Sequence, residues 1–357
     1  MKSKVFFILD SLAAGGAERV VAVLSSSLSK KYDVEILCFF DIAPFYNVDE
    51  KVKIVNIEKR CKSTNTLMKM LFLRRYIKAN KNKSSIVISF MMPFYIMSGI
   101  ALQGVRIPII ASERSNPFIE SRIRRLLTKI LSKRFSLFVA QTEGARAFFS
   151  HYKTPSTIIY NPLNSSFLNQ THVDPEELKI VSVGRLIPVK NHKLLVDAFE
   201  LAHKEIQESS LVIYGDGCMK QELQIYIDQK GLAKSIILAG TTQDVPKALK
   251  EASVYACTSN YEGMPNAVIE AMACGIPVVS TKVFGSVDVI KNGENGFLVD
   301  IGNTKELAKA FIALLKDKKL RLDIGGKAIA IKNIVDPQLI NNKWETIIKD
   351  CINQYYM

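Results

Sequence analysis

Cysteine and histidine are sparse in this 357-residue chain, and their spacing signals neither metal nor disulfide chemistry. The six cysteines form no C-x-x-C pair, and the four histidines form no H-x-x-x-H pattern. Neither a zinc site nor a disulfide framework is therefore predicted, and the composition suits a reducing cytoplasm. The first apolar run has only five residues before Asp10, which is too short for a secretory signal, so no export is expected.

Long uncharged stretches are also few. The longest runs from residue 84 to residue 105, and its 22 residues would be enough for a membrane-spanning helix. Its interior contains Ser89, Pro93, Ser98 and Gln103, which interrupt the apolar character that such a helix needs. We therefore predict a strand, a loop and a helix in this segment instead of a membrane span.

Acidic residues are scarce in the first half of the chain. Residues 1–165 hold 26 Lys plus Arg against 11 Asp plus Glu, whereas the remainder holds 22 against 23. No acid occurs between Glu58 and Glu113, and the segment SRIRRLLTKILSKR places six bases among Ile and Leu at helical spacing. Such basic helices suit an anionic membrane surface or a phosphate-rich ligand. A single basic helix would more simply be explained as one that exposes its charged face to water. No nucleic-acid partner is expected, because the chain has no aromatic RNP-type stretch, helix-turn-helix or zinc finger.

The apolar segments form two successive runs of alternating strands and helices, separated by an Asn-, Ser- and Pro-rich linker from Tyr160 to Asp174. The predicted strands are KVFFILD, DVEILCFF, KIVNI, SIVISF, PIIAS and LFVAQ before the linker, and KIVSVG, SLVIYG, SIILAG, VYACTS, PVVST and GFLV after it. Short Val- and Ile-rich runs between helices indicate parallel sheets built from βαβ units. The fold class is therefore α/β, with one sheet in each half and the two sheets facing each other across a cleft.

Ligands of open α/β sheets bind where the strands end, so the loops that follow strands are the first candidates for a site. The loop after the first strand contains Gly15 and Gly16, whose backbone N–H groups can approach an anion, although a plain tight turn explains the pair equally well. A later turn, Gly240 to Asp244, contains Thr242 and has a backbone that could hydrogen-bond a flat base.

A third loop, Gly184 to Asn191, carries two cations five residues apart, Arg185 and Lys190. A guanidinium fork and an ammonium at this spacing could hold a diphosphate between them, or they could merely border the loop.

The segment EGMPNAVIEAMACGIPVVST contains two glutamates, Glu262 and Glu270, eight positions apart. Pro265 fits the first turn of a helix, so the helix is predicted to begin near Pro265 or Asn266. Eight helical residues would separate the carboxylates by about 12 Å along the axis, farther than the roughly 5 to 9.5 Å of a glycosidase pair. The spacing suits an extended ligand whose negative middle rests on the helix N-terminus, and a nucleotide sugar has this shape.

These segments together resemble a known family. GRLIPVKN, the E-x7-E segment that begins at Glu262, and GENGFLV are similar to the retaining GT-B glycosyltransferases of family 4. The resemblance covers essentially the whole chain and implies two Rossmann-like domains. It implies an acceptor-binding, membrane-facing domain at residues 1–164, a nucleotide-sugar-binding domain at residues 165–338, and a final helix at residues 339–357 that returns to the first domain.

The resemblance also implies roles for individual residues. Arg185 and Lys190 would bind the donor diphosphate, Glu270 the ribose hydroxyls, and Glu262 the hexose, so that Glu262, Arg185 and Lys190 carry catalysis. The other donor-binding residues implied are Gly15, Gly16, Gly184, Thr242, Gly263, Met264, Pro265 and Asn266. A UDP-sugar would be the donor, with no cofactor, no metal and no clear protein nucleophile. Positive charge at the diphosphate would then stabilise the leaving group.

Within the family, SERSNP and GGAERVVAVL most resemble enzymes that extend undecaprenyl-diphosphate-linked oligosaccharides for O-antigen, capsule or N-glycan precursors. Many members have a histidine where this chain has Glu113 and Arg114, so Arg114 is expected to contact acceptor or donor phosphate. Some relatives grip the acceptor with a basic helix. The residues expected to do so here are Lys69, Arg74, Arg75 and Lys78.

The sequence thus predicts a transferase of a hexose or N-acetylhexosamine that acts in surface polysaccharide biosynthesis. It would be peripheral on the cytoplasmic face of the inner membrane and would use a polyprenyl-diphosphate-linked glycan as acceptor. Two alternatives stay open: a GT-B-type UDP-sugar 2-epimerase, and a non-catalytic lipid- or sugar-binding protein with a relict donor site.

Overall fold

The computed structural model describes residues 2–13, 15–170, 174–242 and 244–357. Ala14 and Gln243, in two of the predicted loops, and Thr171 to Val173, in the predicted linker, lie outside the described residues. The chain forms two compact units. The N-terminal unit comprises Met1–Pro162 and Pro337–Met357, and the C-terminal unit comprises Leu163–Asp336.

The N-terminal unit is built on a parallel sheet of seven strands in the order β3-β2-β1-β4-β5-β6-β7. The strands are β1 (Lys4–Leu9), β2 (Asp33–Cys38), β3 (Lys53–Asn56), β4 (Ser85–Phe90), β5 (Ile109–Ser112), β6 (Leu137–Ala140) and β7 (Ser156–Ile158). The helices are α1 (Gly16–Leu28), α2 (Ile57–Cys61), α3 (Thr66–Asn80), α4 (Met92–Ala101), α5 (Arg122–Leu131) and α6 (Glu143–Phe149), with 3-10 turns at Pro117–Ile119 and Ser132–Arg134.

Both faces of this sheet are covered, which explains why its strands are continuous apolar runs. Alternate residues of β1 enter two separate cores: Phe6 and Ile8 pack among residues of α3 and α4, whereas Val5, Phe7 and Leu9 pack among residues of α1 and of the chain's last helix. Successive side chains of a strand point to opposite faces, so one apolar run can serve both cores.

The long uncharged run contains a strand and a helix, as predicted. β4 ends at Phe90, the backbone turns at Met91 with φ of 70°, and α4 begins at Met92 with Pro93 in its first turn. None of the helices in the described part of the chain combines the length and apolarity needed to cross a membrane.

The C-terminal unit is built on a parallel sheet of six strands in the order β10-β9-β8-β11-β12-β13. The strands are β8 (Lys179–Val183), β9 (Ser210–Tyr214), β10 (Ile236–Gly240), β11 (Val254–Cys257), β12 (Val278–Thr281) and β13 (Phe297–Val299). The helices are α7 (His192–Glu205), α8 (Lys220–Gln229), α9 (Val245–Lys250), α10 (Asn266–Cys274), α11 (Phe284–Val289), α12 (Thr304–Lys316), α13 (Lys318–Ala328) and α14 (Lys332–Val335), with 3-10 turns at Ser165–Phe167, Pro188–Lys190 and Ile329–Ile331. The last helix, α15 (Pro337–Tyr356), belongs to the N-terminal unit.

The order of strands in this second sheet reverses between β8 and β11. The chain runs outward from β8 through β9 to β10, then returns to add β11 on the other side of β8. In open α/β sheets, such a reversal leaves a crevice between the two loops that diverge from it. The loops after β8 and β11 are the ones that contain Arg185, Lys190 and Glu262.

The expected α/β architecture is confirmed, because all of the predicted strands are present. Helix α10 begins at Asn266, next to Pro265, as its sequence predicted. It ends at Cys274 and is capped by Gly275, which adopts a left-handed conformation with φ of 84°. The carbonyl of Gly275 lies so close to Gly325 of α13 that any side chain at Gly325 would collide with it.

We predict that two adjacent substitutions in α13 change stability in opposite directions. Gly325→Ala should lower the free energy of unfolding by about 1–3 kcal/mol, because the added Cβ forces α13 away from the end of α10. Gly326→Ala should raise it by about 0.5–1 kcal/mol, because a Cβ there meets nothing within 4 Å and alanine favours the helix. Urea denaturation measures both, and equal effects of the two variants would show that the α10–α13 approach is not tight.

Candidate functional site

The loop after β8 is fixed by its neighbour after β9. The N–H of Gly184 donates to the carbonyl of Tyr214 at 2.9 Å, and that of Leu186 donates to Asp216 at 2.9 Å. Gly215 has a φ of 148°, and a side chain there would collide with the Gly184 carbonyl. Only glycine therefore allows the two loops to meet, and this contact sets the path of the backbone that carries Arg185.

The same loop is also bound to the segment that follows β11. The hydroxyl of Thr258 donates to the carbonyls of Lys190 and Asn191 at 3.0 and 3.2 Å. The N–H of Asn260 donates to the carbonyl of Val189 at 2.8 Å. The backbones on the two sides of the β8–β11 reversal are thus joined directly, so residues of both loops keep a fixed spacing.

Lys190 and Glu262 form an ion pair across this junction. The ammonium Nζ lies 2.5 Å from Glu262 Oε1, and the hydroxyl of Ser259 donates to the same oxygen at 2.7 Å. Burial acts to lower the pKa of Lys190, but the charge and hydrogen bond of Glu262 act against it, and the net shift of the pKa is upward, so the lysine stays charged. An ammonium has three N–H donors, so Lys190 can hold Glu262 and an additional oxygen at once.

The turn before α10 is held by the element that follows β12. The carbonyl of Gly263 accepts a hydrogen bond from the N–H of Gly285 in α11 at 2.8 Å. Met264 is buried, and Pro265 stands directly before the first helical residue, Asn266. The N-terminus of a helix carries a partial positive charge and favours an anion.

Glu270 lies about one turn into α10, and its side chain is buried. Glu262 precedes the helix and Glu270 is inside it, so the two carboxylates lie on either side of the helix start, as the sequence predicted. The two carboxylates therefore belong to different elements, Glu262 to the loop after β11 and Glu270 to α10.

Two groups beside the ion pair are neutral. Burial, assisted by the charge of Lys190, lowers the pKa of His192 to about 4. Burial, assisted by the carboxylate of Glu262, raises the pKa of the Cys257 thiol. The charges at this junction are therefore carried by Lys190 and Glu262, with the exposed Arg185 close to them in the chain.

Sequence analysis missed the hydroxyls that organise this junction, Thr258 and Ser259. Their signal was present in the TSN segment directly after β11, but hydroxyl residues are common in loops and only their contacts distinguish them. Thr281 is a third such residue, because its hydroxyl donates to the Ser259 carbonyl at 2.7 Å.

Thr242 lies beyond the end of β10, and its side chain accepts a hydrogen bond from the N–H of Asp244 at 3.1 Å. The carbonyl of Gly240 accepts from the N–H of Gly215 at 2.7 Å, which connects the end of β10 with the loop after β9. The loops after β8, β9 and β10 consequently lie in one row along the edge of the sheet.

The glycine pair lies in the N-terminal unit. Gly15 is the residue before α1, and Gly16 is the first residue of that helix. The carbonyl of Gly15 accepts hydrogen bonds from the Tyr46 hydroxyl at 3.0 Å and from the N–H of Arg19 at 3.1 Å. The pair thus begins a helix, as the Gly-rich loop predicted.

Arg114 is buried, which revises its expected role as a phosphate contact. Its Nε donates to Ser112, and its Nη1 donates to the carbonyl of Ile159 and to Asn161, at 3.0 to 3.1 Å. The guanidinium carbon also lies 5.4 Å from the ring of Trp344 in α15. Arg114 therefore connects three segments of the N-terminal unit from within.

Glu113 is buried beside Arg114. Its carboxylate accepts hydrogen bonds from the hydroxyls of Tyr95 and Ser115 at 3.1 and 2.8 Å. Burial raises the pKa of this carboxyl to about 7. Glu113 and Arg114 are thus both part of the interior of the N-terminal unit.

The four basic residues expected on α3 separate into two groups. Lys69 is buried, pairs with Glu58 at 2.5 Å and lies 4.3 Å from the centre of the Phe40 ring, so the expectation that it grips the acceptor is wrong. Arg74 donates to the carbonyls of Ala101 and Gln103 at 2.8 and 2.5 Å. Arg75 and Lys78 are exposed.

Comparison with known proteins supports a single family. The family described as "Glycosyltransferase Family 4" matches residues 14–167, and the family described as "Glycosyl transferases group 1" matches residues 166–330. The matched ranges follow each other along the chain and span both units.

Two relatives from Campylobacter jejuni match over most of their length. One, named "GalNAc-alpha-(1->4)-GalNAc-alpha-(1->3)-diNAcBac-PP-undecaprenol alpha-1,4-N-acetyl-D-galactosaminyltransferase", is 26% identical over 98% of this chain and 99% of its own. The other, named "N-acetylgalactosamine-N,N'-diacetylbacillosaminyl-diphospho-undecaprenol 4-alpha-N-acetylgalactosaminyltransferase", is 28% identical over 91% of this chain and 93% of its own.

Among solved structures, Anabaena HepE in complex with UDP-glucose superposes with a TM-score of 0.80 at 20% identity, covering 97% of this chain and 99% of that protein. This likeness shows the GT-B fold, and the family matches confirm the resemblance carried by the E-x7-E segment. The chain is therefore a glycosyltransferase that belongs to family 4 and has the GT-B fold.

Proposed function

We propose that this glycosyltransferase moves a hexose or N-acetylhexosamine from a UDP-sugar to an undecaprenyl-diphosphate-linked glycan in surface polysaccharide biosynthesis, with retention of configuration. The observation that carries the proposal is the Lys190–Glu262 ion pair, which lies between the loop of Arg185 and the start of α10. The names of the two Campylobacter relatives, both of which contain an undecaprenol-linked acceptor, support the choice of acceptor.

The donor diphosphate rests, in this proposal, on Arg185, Lys190 and the N-terminus of α10. A guanidinium, an ammonium and a helix dipole all favour the charge that grows on the diphosphate as the sugar leaves. Gly184 has no side chain, so the backbone there can approach the phosphates closely. Fixing these groups before the reaction matters, because preorganised charge needs no rearrangement in the transition state.

The two ends of the donor meet different carboxylates. Glu262 and the backbone from Gly263 to Asn266 bind the hexose hydroxyls, while Glu270 binds the ribose hydroxyls. The turn that contains Thr242 meets the base. Lys190 and Ser259 both donate hydrogen bonds to Oε1 of Glu262, so the orientation of this carboxylate is fixed by two partners.

No protein nucleophile takes part in the proposed transfer. The acceptor hydroxyl attacks the anomeric carbon on the face from which the diphosphate departs, and its proton passes to the departing phosphate oxygen. One C–O bond forms as another breaks, and the configuration is retained. Because Arg185 and Lys190 supply the positive charge, we propose that the reaction needs neither a metal nor a cofactor.

The proposed acceptor is carried on lipid, so the protein would work at the cytoplasmic face of the inner membrane as a peripheral protein. The excess of basic residues in the first half of the chain supports this location, since the cytoplasmic leaflet is anionic. Arg75 and Lys78 are exposed and remain candidates for contact with the acceptor diphosphate.

An acceptor-dependence assay tests the reaction class. The purified protein is incubated with radiolabelled UDP-sugars, with and without a polyprenyl-diphosphate glycan, and UDP and labelled sugars are measured. We expect UDP release that requires the acceptor and persists in EDTA. Isomerisation of the sugar without acceptor would instead identify a 2-epimerase, and no turnover across a broad donor panel would contradict both enzymes. Loss of turnover in EDTA would contradict metal independence.

Glu270→Gln should raise the dissociation constant for UDP by roughly tenfold or more, because hydrogen bonds to a charged group contribute about 1.5–3 kcal/mol. Titration calorimetry with UDP measures this constant without the acceptor. Glu294→Gln is the matched control, since Glu294 is exposed and pairs only weakly with Lys291 at 3.5 Å. An unchanged affinity of the Glu270 variant would remove this residue from the donor site.

Arg185→Ala and Lys190→Ala should each lower kcat by roughly 10²–10³-fold, because each removes a positive charge from the leaving group. Only Lys190→Ala should also lower the melting temperature, since it leaves Glu262 without its ion-pair partner. Lys193→Ala is the control, because this half-exposed lysine pairs with Glu222 on the surface. Normal turnover in both test variants would overturn the proposed diphosphate site.

A further inference from the structure

Helix α5 exposes large apolar side chains that a monomeric water-soluble surface seldom concentrates. Ile123, Leu126 and Ile130 are 71%, 57% and 65% exposed, and Ile119 in the preceding turn is 51% exposed. We call these four residues the α5 stripe. Their exposure is not a consequence of a poorly packed helix, because Thr128 and Leu131 on the same helix are buried.

Helix geometry places the stripe beside a row of cations. With about 100° of rotation per residue, Ile123, Leu126 and Ile130 fall within an arc of roughly 60°, whose centre is about 140° from the mean direction of the buried Thr128 and Leu131. Arg122 and Lys129 fall next to that arc on one side. The helix therefore presents an apolar edge and a basic edge together, which is the pattern of helices that lie in a membrane interface.

The charge around the stripe has a single sign. Residues 121 to 142 contain no acidic side chain. The nearest acid before them, Glu120, pairs with Arg124 at 2.8 Å, and within the described part of the chain no ion pair engages the other bases of α5. A partner for this face must accordingly offer apolar surface and negative charge side by side.

A pocket follows the C-terminal end of α5. It has a volume of about 530 Å³, and its lining includes Arg106, Lys133, Arg134 and Tyr355. Arg134 is a fixed part of the lining, because its guanidinium donates hydrogen bonds to the carbonyls of Leu102, Val105 and Ile107. Arg106 and Lys133 are exposed and supply the charge, and two cations beside a phenol suit a phosphate.

We propose that α5 lies in the surface of an anionic bilayer, with the α5 stripe at the acyl boundary and a phospholipid headgroup in the pocket of Arg106 and Lys133. This proposal identifies the surface that would contact the membrane, and it rests on the membrane association in the proposed function. The occupant is lipid and not a protein partner, because a bilayer alone offers acyl chains along the whole stripe and phosphates along the whole basic edge.

Helix α3 is the alternative docking element and is less suited. It exposes Leu67, Met68 and Leu71, but Lys69 and Arg74 are engaged inside the N-terminal unit. Both α3 and α5 pack against α4, so α3 can add contacts while α5 provides the main insertion.

Vesicle co-sedimentation of the whole chain tests the proposal, with phosphatidylcholine vesicles that contain or lack phosphatidylglycerol. Ile123→Glu and Ile130→Glu should each lower the partition coefficient about tenfold or more, since burying one isoleucine is worth about that factor. Arg106→Glu with Lys133→Glu should remove most of the preference for phosphatidylglycerol, at about fivefold or more per charge. Ile225→Glu is the matched control, because Ile225 is 57% exposed on α8 of the C-terminal unit.

Three results would overturn the proposal. The stripe variants could bind vesicles as well as the unchanged chain, or Arg75→Glu with Lys78→Glu on α3 could abolish binding while the stripe variants do not. The chain could also form dimers that Ile123→Glu dissociates, without binding lipid, which would identify a protein interface. Unchanged melting temperatures check that the exposed substitutions leave the fold intact.

The failure of this inference can be told apart from the failure of the proposed reaction. With a water-soluble, short-chain acceptor analogue, the stripe variants should turn over at the rate of the unchanged chain, because α5 contains none of the donor-site residues. A chain that binds vesicles through the stripe but transfers no sugar would contradict the proposed reaction alone. Sugar transfer by the unchanged chain, together with vesicle binding that the stripe substitutions do not weaken, would contradict this inference alone.

Discussion

The junction between the loops after β8 and β11 is the constraint on which the C-terminal site depends. Lys190 is mostly enclosed by protein, and burial favours the neutral amine, yet Glu262 keeps it charged. Thr258 and Asn260 hold the backbones that carry the two charges. In the proposed donor site, the cation that faces the diphosphate is positioned by the anion that faces the sugar, so neither residue can be changed without affecting the other.

The distribution of basic residues explains why net charge alone is a poor guide to a binding surface. In the N-terminal unit, Lys69, Arg74, Arg114 and Arg134 are engaged by carboxylates or carbonyls of the same unit. The cations of α5 lie instead beside exposed isoleucines. A long side chain can turn inward or outward from the same backbone position. The number of basic residues therefore sets an upper limit on the charge of a binding surface but does not show where that surface lies.

Much of the fold was predictable, because buried parallel strands are continuous runs of Val, Ile and Phe and their order along the chain fixes the class. Pro265 placed the start of α10 near Pro265 or Asn266, and the helix begins at Asn266. The short strand β7 and the short helix α2 were not predicted, since three and five residues carry too little periodicity. The close approaches at Gly215 and Gly325 depend on residues distant in sequence, and a glycine by itself does not reveal its neighbour.

The candidate site shows the same division between what is local and what is not. The identity of Arg185, Lys190, Glu262 and Glu270 followed from spacing and from the family motif, because the first three lie in loops that follow strands and Glu270 lies in the first turns of a helix. The pairing of Lys190 with Glu262 did not, since 72 residues separate them and the pair forms only because β11 returns to the side of β8. The reversal of strand order is therefore what converts two separate motifs into one charged junction.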